Sequence, residues 1–181
     1  MLNNARQGIL RGLVLMTLFS ALIVAALGGI NRLAASIQRV SAQPFATIEE
    51  ARRHIGLAHI TMPAYFPEGI AWPPSLLIGQ KKPFPAFAME FRKTGGSDII
   101  LIVAQYSGAS DARTLQRVQL TAAQEETAYT IKKQPVQLQV GRCSTGAACS
   151  QMRWTSNDIQ HTVLFVGSPL ELIRIAESMI H

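Results

Sequence analysis

The sequence predicts one membrane-spanning helix followed by a single α+β domain, an antiparallel sheet flanked by two helices. Three observations lead there. Residues 12–31 are apolar and uncharged. Residues 76–105 and 129–166 alternate apolar and polar positions as strands do, interrupted by glycine, proline and Asn-Asp turns. Helix-start signals at Thr47 and Ser168 bracket that alternating stretch. A chain of 181 residues accommodates one ordinary domain plus an appendage.

The uncharged run, GLVLMTLFSALIVAALGGIN, separates Arg11 from Arg32 and is 20 residues long. As a helix it covers roughly 30 Å, the thickness of a bilayer's hydrocarbon core, whereas a signal-peptide core is about 7–15 residues. Val40-Ser41-Ala42 has the small-residue pattern of a cleavage site, but it lies beyond Arg32 and Arg39. A retained anchor is therefore favoured over a cleaved signal. Arginines flank both ends and do not orient the span. The short tail, residues 1–11, ahead of a long folded part favours insertion in the cytoplasmic membrane with the N-terminus on the inner side and the domain on the extracytoplasmic side. Ala21, Ala25 and Gly29 recur every four residues, giving one helical face of small side chains that another helix could approach closely. Small residues are also common in such spans without that role. The expected partners are the lipid bilayer and, through this face, another membrane protein or complex.

The formal charge of +6 is concentrated around the span. Arg6, Arg11, Arg32 and Arg39 precede residue 46 with no acid among them, leaving 13 basic and 11 acidic residues beyond. That balance lacks the basic patch that nucleic-acid binding needs, so no nucleic-acid partner is expected. Lys81-Lys82, Arg92-Lys93 and Lys132-Lys133 read as strand ends and turns.

Residues 32–46 read as a linker, with Pro44 opposing continuous helix. Thr47 and Glu50 form a capping-box pattern opening a helix over 48–55, and Gly56 closes it. Residues 57–74 contain Pro63, Pro67, Pro73 and Pro74 and are expected to be extended, with a tight turn at Gly69. Strands are predicted over 76–79, 84–91 and 99–105, the last two joined at Gly95-Gly96. Residues 106–128, rich in small and polar side chains, read as an irregular crossing with a short helix over 111–115. Strands follow over 129–132, 136–140, 151–155 and 161–166. Ser168 and Pro169 then open a helix whose Leu172, Ile175, Ala176 and Met179 share one face.

Cys143 and Cys149 enclose five residues between two predicted strands, a spacing that suits a disulfide in an exported domain. Free thiols, a metal site or a redox pair are alternatives. A zinc site, however, needs about four ligands and a catalytic dithiol is usually C-x-x-C. His54, His59, His161 and His181 form no ligand motif, and no nucleophile elbow, phosphate loop or H-E-x-x-H occurs. Neither enzymatic activity nor a cofactor or metal is expected. Trp154, in register with Met152, reads as core. Trp72, with Tyr65 and Phe66 nearby, reads as a candidate partner contact.

Two segments, TIEEARRHIGLAHITMPAYFPEGI and MRWTSNDIQHTVLFVGSPLELIRIAESMI, resemble the opening and closing motifs of domain-of-unknown-function family 4367. The resemblance rests on the Pro63, Pro67, Glu68, Gly69 turn, on Trp154, and on Ala176-Glu177-Ser178, and spans roughly residues 47–181. The pattern is more distantly similar to the C-terminal domain of the sigma-E regulatory proteins MucB and RseB. It implies a bacterial envelope domain following a single span, and no catalytic residues. The expected function is protein interaction, as an accessory subunit of a membrane complex or as an envelope sensor. A carrier for a lipid or small hydrophobic ligand is the alternative.

Overall fold

A computed structural model describes residues 16, 19–20, 22–24, 42–57, 59–108 and 115–181. The chain divides into two units, Met1–Ile37 and Gln38–His181. In the first, Met16, Phe19, Ser20, Leu22, Ile23 and Val24 are helical and exposed. The rest of the predicted span, including Ala21, Ala25 and Gly29, lies outside the described residues, as do the first ten residues of the expected linker. Among the described residues, no helix is long and apolar enough to cross a membrane.

The second unit is mostly β. Its strands are β1 (Gln43–Pro44), β2 (Leu76–Gln80), β3 (Ala86–Arg92), β4 (Ile99–Ser107), β5 (Leu120–Ile131), β6 (Gln134–Cys143), β7 (Ala148–Ser156) and β8 (Ile159–Phe165). They form one eight-stranded sheet in the order β1-β2-β3-β4-β8-β7-β6-β5, antiparallel throughout. Two helices, α1 (Ile48–Ile55) and α2 (Pro169–Met179), accompany it. The expected α+β domain is mostly β, an eight-stranded sheet with two short helices. The antiparallel sheet and both helices are as expected.

Both helices start where the sequence places them. Thr47 Oγ1 accepts from Glu50 N at 3.1 Å, while Glu50 Oε2 accepts from Ala46 N at 3.0 Å. Gly56 closes α1 at φ +82°, where a side chain would be strained. Ser168 caps α2 through Leu170 N, with Pro169 in the first turn. Ala51 and Ile55 of α1 and Leu172, Ile175 and Met179 of α2 enter one core with Phe87, Met89, Val103, Met152 and Val163 of the sheet. Both helices thus cover the same sheet face. Gly79 makes room for α1, since a Cβ there would lie 2.3 Å from Ile55 Cδ1.

The opposite face carries two smaller clusters. Ala86, Ala88 and Ala104 pack with Tyr106 and Leu115, and Ile102 and Leu164 pack with Val118, Cys143 and Cys149. Cys143 and Cys149 form a disulfide with a Cα separation of 5.8 Å.

The region expected to be an irregular crossing is the largest correction. Of the short helix predicted over 111–115, only Leu115 is described. Leu120–Ile131 forms the longest strand, not one confined to 129–132. From Thr121 to Thr130 every residue of β5 is exposed, so neither face imposes the apolar alternation by which strands are recognised. The linker also ends earlier than expected, because Gln43–Pro44 pairs with β2.

Where β5 bulges between Ala123 and Glu125, its backbone closes on Gly141, and a Cβ there would lie 1.9 Å from the Ala122 carbonyl oxygen. Gly141→Ala is expected to destabilise the fold by roughly 2 kcal/mol through overpacking, read as a lower urea midpoint. Gly96→Ala, which meets nothing closer than 3.7 Å, is the control. Equal midpoints would exclude the close β5–β6 approach.

Candidate functional site

Two features of the sheet unit combine open space with aromatic or titratable side chains. The first is an aromatic shelf. The segment after the Gly69 turn runs beside β3, with Ala71 N donating to Arg92 O at 2.8 Å, Ser75 N to Glu90 O at 2.8 Å, and Ile70 bridging Lys93. These bonds fix the loop that carries Trp72. Its ring stacks on Phe91 at 6.1 Å between centroids and 25° between planes, and meets Phe66 edge-on at 5.5 Å. Phe91 is fully buried, whereas Trp72 remains 60% exposed. The shelf borders an apolar depression of about 320 Å³, formed with Met62, Pro63 and Ile70.

Tyr65, grouped with Phe66 and Trp72 by sequence, makes different contacts. Its hydroxyl donates to Glu171 Oε2 at 2.6 Å, and Arg174 lies 4.2 Å over its ring while pairing with Glu171 at 3.2 Å. The hydrogen bond to Glu171, with desolvation second, raises the phenol's pKa. Ala64 N and Tyr65 N both donate to Ser178 Oγ, whose hydroxyl donates to Ile175 O. Tyr65 therefore ties the extended segment to α2, while Phe66 and Trp72 form the shelf.

The second feature is a cavity of about 540 Å³ beside the β7–β8 turn and the end of α2. Three of the four histidines, His59, His161 and His181, line it, together with Trp154 and an apolar floor including Met179 and Ile180. Sequence separation hides this grouping: His59 and His161 come together only because β8 and the extended segment lie over the same face. Among the described residues no Asp or Glu side chain lines the cavity, and no set of three or more metal-ligating groups is within reach of one ion. Trp154 is 5% exposed and belongs to the core, in keeping with its register with Met152.

His161 is the unusual member. It sits opposite Trp154 across the β7–β8 ladder and stacks on it, 5.0 Å between centroids and 3° between planes. It is 6% exposed, and its Nδ1 is buried without a hydrogen-bond partner. Burial lowers its pKa to about 4, so the ring is neutral near pH 7. Neighbouring Gln105 is satisfied instead, bonding both backbone groups of Thr61 at 2.8 and 2.5 Å.

A buried carboxylate lies on the other face. Glu90 is 1% exposed, with Arg117 Nε 3.6 Å from Oε2 and no partner for Oε1. Desolvation raises its pKa, against the opposing pull of Arg117. Glu90 is remote in the fold from the histidines, which face the helices.

Comparison with family models, curated proteins and solved structures finds no match for this chain.

Protonation of His161 is favoured in the unfolded chain, where the pKa is near 6.5, over the folded one, where it is about 4. Its contribution to stability is thus fully present above pH 6.5 and is lost as pH falls through 4. The loss is expected to total roughly 3 kcal/mol. Glu90 acts oppositely: its raised pKa costs stability as pH rises through that value. His161→Phe, which keeps a ring against Trp154, is expected to flatten the decline between pH 6.5 and 4 in thermal unfolding. An unchanged profile would show that His161 does not titrate in the folded state as its burial requires.

Proposed function

We propose that this chain is a non-enzymatic, single-span membrane protein whose exported domain mediates protein interaction, as an accessory subunit of a membrane complex or an envelope regulatory domain. The observation that carries this reading is the Trp72 shelf. A tryptophan exposed to this extent, fixed by backbone hydrogen bonds and bordered by an apolar depression, has the makings of an interaction hot spot. The uncharged run over 12–31 supplies the anchor in this reading, and Ala21, Ala25 and Gly29 a close-packing face for a neighbouring helix. The Cys143–Cys149 disulfide accords with a domain on the extracytoplasmic side of the cytoplasmic membrane. Membership of domain-of-unknown-function family 4367 is part of the same proposal and rests on the two motifs alone.

A second reading, a binding module for a lipid or small hydrophobic ligand, is favoured by the cavity beside Trp154 and its apolar floor. Its polar lining by histidines, Gln134 and Asn157 fits an amphipathic ligand better than a bare acyl chain.

Gentle detergent extraction of the native membrane, size separation and mass spectrometry of co-migrating chains tests the first reading. Stable co-migration with a defined complex is expected. Ala25→Leu should release the chain if the span is the docking element, and Trp72→Ala should weaken association by roughly 30-fold or more if the shelf is a hot spot. Migration alone, unchanged by either substitution, would sink the accessory-subunit reading.

A further inference from the structure

β5 is an edge strand of unusual exposure. At the opposite edge β1 is two residues long, whereas β5 has twelve and pairs only with β6. Long edges invite pairing with another chain and are commonly blunted by bulges, lysine or proline. Both bulges of β5 fall before Glu125. From Glu125 to Ile131 its register against β6 is unbroken, running from Val140 to Gln134, and this stretch contains no proline, lysine or arginine.

The hairpin turn fixes which backbone groups face outward. Lys132 and Lys133 both have positive φ, 47° and 70°, and join Ile131 to Gln134 as a two-residue loop. Ile131 and Gln134 are then a hydrogen-bonded pair, and the pattern alternates from there. Ile131, Tyr129 and Thr127 direct their N–H and C=O groups toward β6. Thr130, Ala128 and Glu126 direct theirs outward, with no strand beyond them among the described residues. Proline at 135, opposite Thr130, agrees, because a non-bonded position in the β5–β6 ladder needs no N–H.

We propose that this edge docks a second copy of the chain, the two β5 strands pairing antiparallel about a two-fold axis at Tyr129. An isologous interface requires a self-complementary surface, and the charges provide it. In this register Glu125 faces Lys133 of the second copy on both sides of the axis, while Lys132 stays bound to the carbonyls of Glu177 and Ile180 and Glu126 to Gln137 and Gln139 of their own chain. Glu125 and Lys133 have no other side-chain partner among the described residues. Ala128 and Thr130, both outward-facing, become the hydrogen-bonded pairs. Centring the axis on Ala128 would set Glu126 against Thr130 and leave both lysines unmatched. Tyr129, 44% exposed, would sit beside its symmetry mate in a closely spaced non-bonded pair, with Cα atoms about 4.5 Å apart. The ring lies on the same face as buried Val136, its cross-strand neighbour, so pairing would extend the apolar face across the axis. The inference stands apart from the span and the Trp72 shelf.

The full chain carrying Tyr129→Cys, oxidised with copper phenanthroline in native membranes or mild detergent, tests this on a non-reducing gel. The native cysteines are already paired. Tyr129→Cys is expected to yield a covalent dimer, and Thr127→Cys, whose symmetry mate is two positions from the axis, at least about tenfold less. Adding Glu125→Lys should reduce the Tyr129→Cys dimer roughly fivefold by placing like charges opposite, and Glu125→Lys with Lys133→Glu should restore it. Absence of a dimer overturns the proposal. So does equal cross-linking at 127 and 129, which would indicate random collision or a dimer held elsewhere, and so does failure of the charge exchange to restore the product.

Discussion

The sheet depends on one long-range joint, the pairing of β4 with β8. β1 to β4 form one antiparallel succession and β5 to β8 another, and within each every strand pairs with its neighbour in sequence. The two meet only from Leu101 against Phe165 to Ser107 against Ile159. Apart from the two-residue β1–β2 ladder, which pairs Gln43 with Gly79 across α1 and the extended segment, every other ladder closes a local loop, whose entropic cost is small; this one must bring together segments more than fifty residues apart. The side chains at the joint reflect that demand. Leu101, Ile102, Val103 and Ala104 on β4, and Val163 and Leu164 on β8, are all fully buried, so the joint is driven by apolar burial on both faces at once.

Burial on both faces explains where the chain carries its least comfortable polar groups. A strand at a sheet's centre has no solvent side on which to place them, so Glu90, Gln105, His161 and Thr162 are taken out of water. Gln105 finds two backbone partners on the extended segment, which also orders that segment over the sheet. His161 instead stays neutral against Trp154, and Glu90 leans on a partly exposed arginine. A buried polar atom without a partner costs on the order of 1–3 kcal/mol. Core packing alone supplies no reason for a histidine at 161, where an apolar ring would fill the same space.

Elements governed by local chemistry were legible in the sequence. Caps at Thr47 and Ser168, the Gly56 stop, the turns at Gly95 and Asn157-Asp158, and the apolar, turn-bounded runs of β2, β3, β4, β6, β7 and β8 depend on neighbours within a few residues. The disulfide was legible for the same reason, since hairpin geometry brings Cys143 and Cys149 together. What stayed hidden depends on the third dimension. The histidine cavity assembles from four distant segments, and Tyr65 separates from Phe66 because α2, more than a hundred residues later, supplies Glu171 and Ser178 as its partners. β5 was hidden for a different reason: its pattern is absent because its environment is solvent on both sides.

That absence carries its own argument. A buried strand owes its sequence to the faces it must fill, but β5 fills neither, and its propensities are mixed, with alanine and glutamate beside threonine, tyrosine and isoleucine. Its order therefore comes from β6, through the ladder, the two-residue lysine turn and the close approach at Gly141. Lys132 fastens the turn end by donating to the carbonyls of Glu177 and Ile180, satisfying acceptors that the end of α2 leaves open. Glu126 fastens the strand's middle by accepting from Gln137 and Gln139. The strand is thus held by β6 along its length and by α2 at its turn end while its outer backbone remains unspent, and order of that kind lowers the entropy that pairing along the edge would otherwise cost.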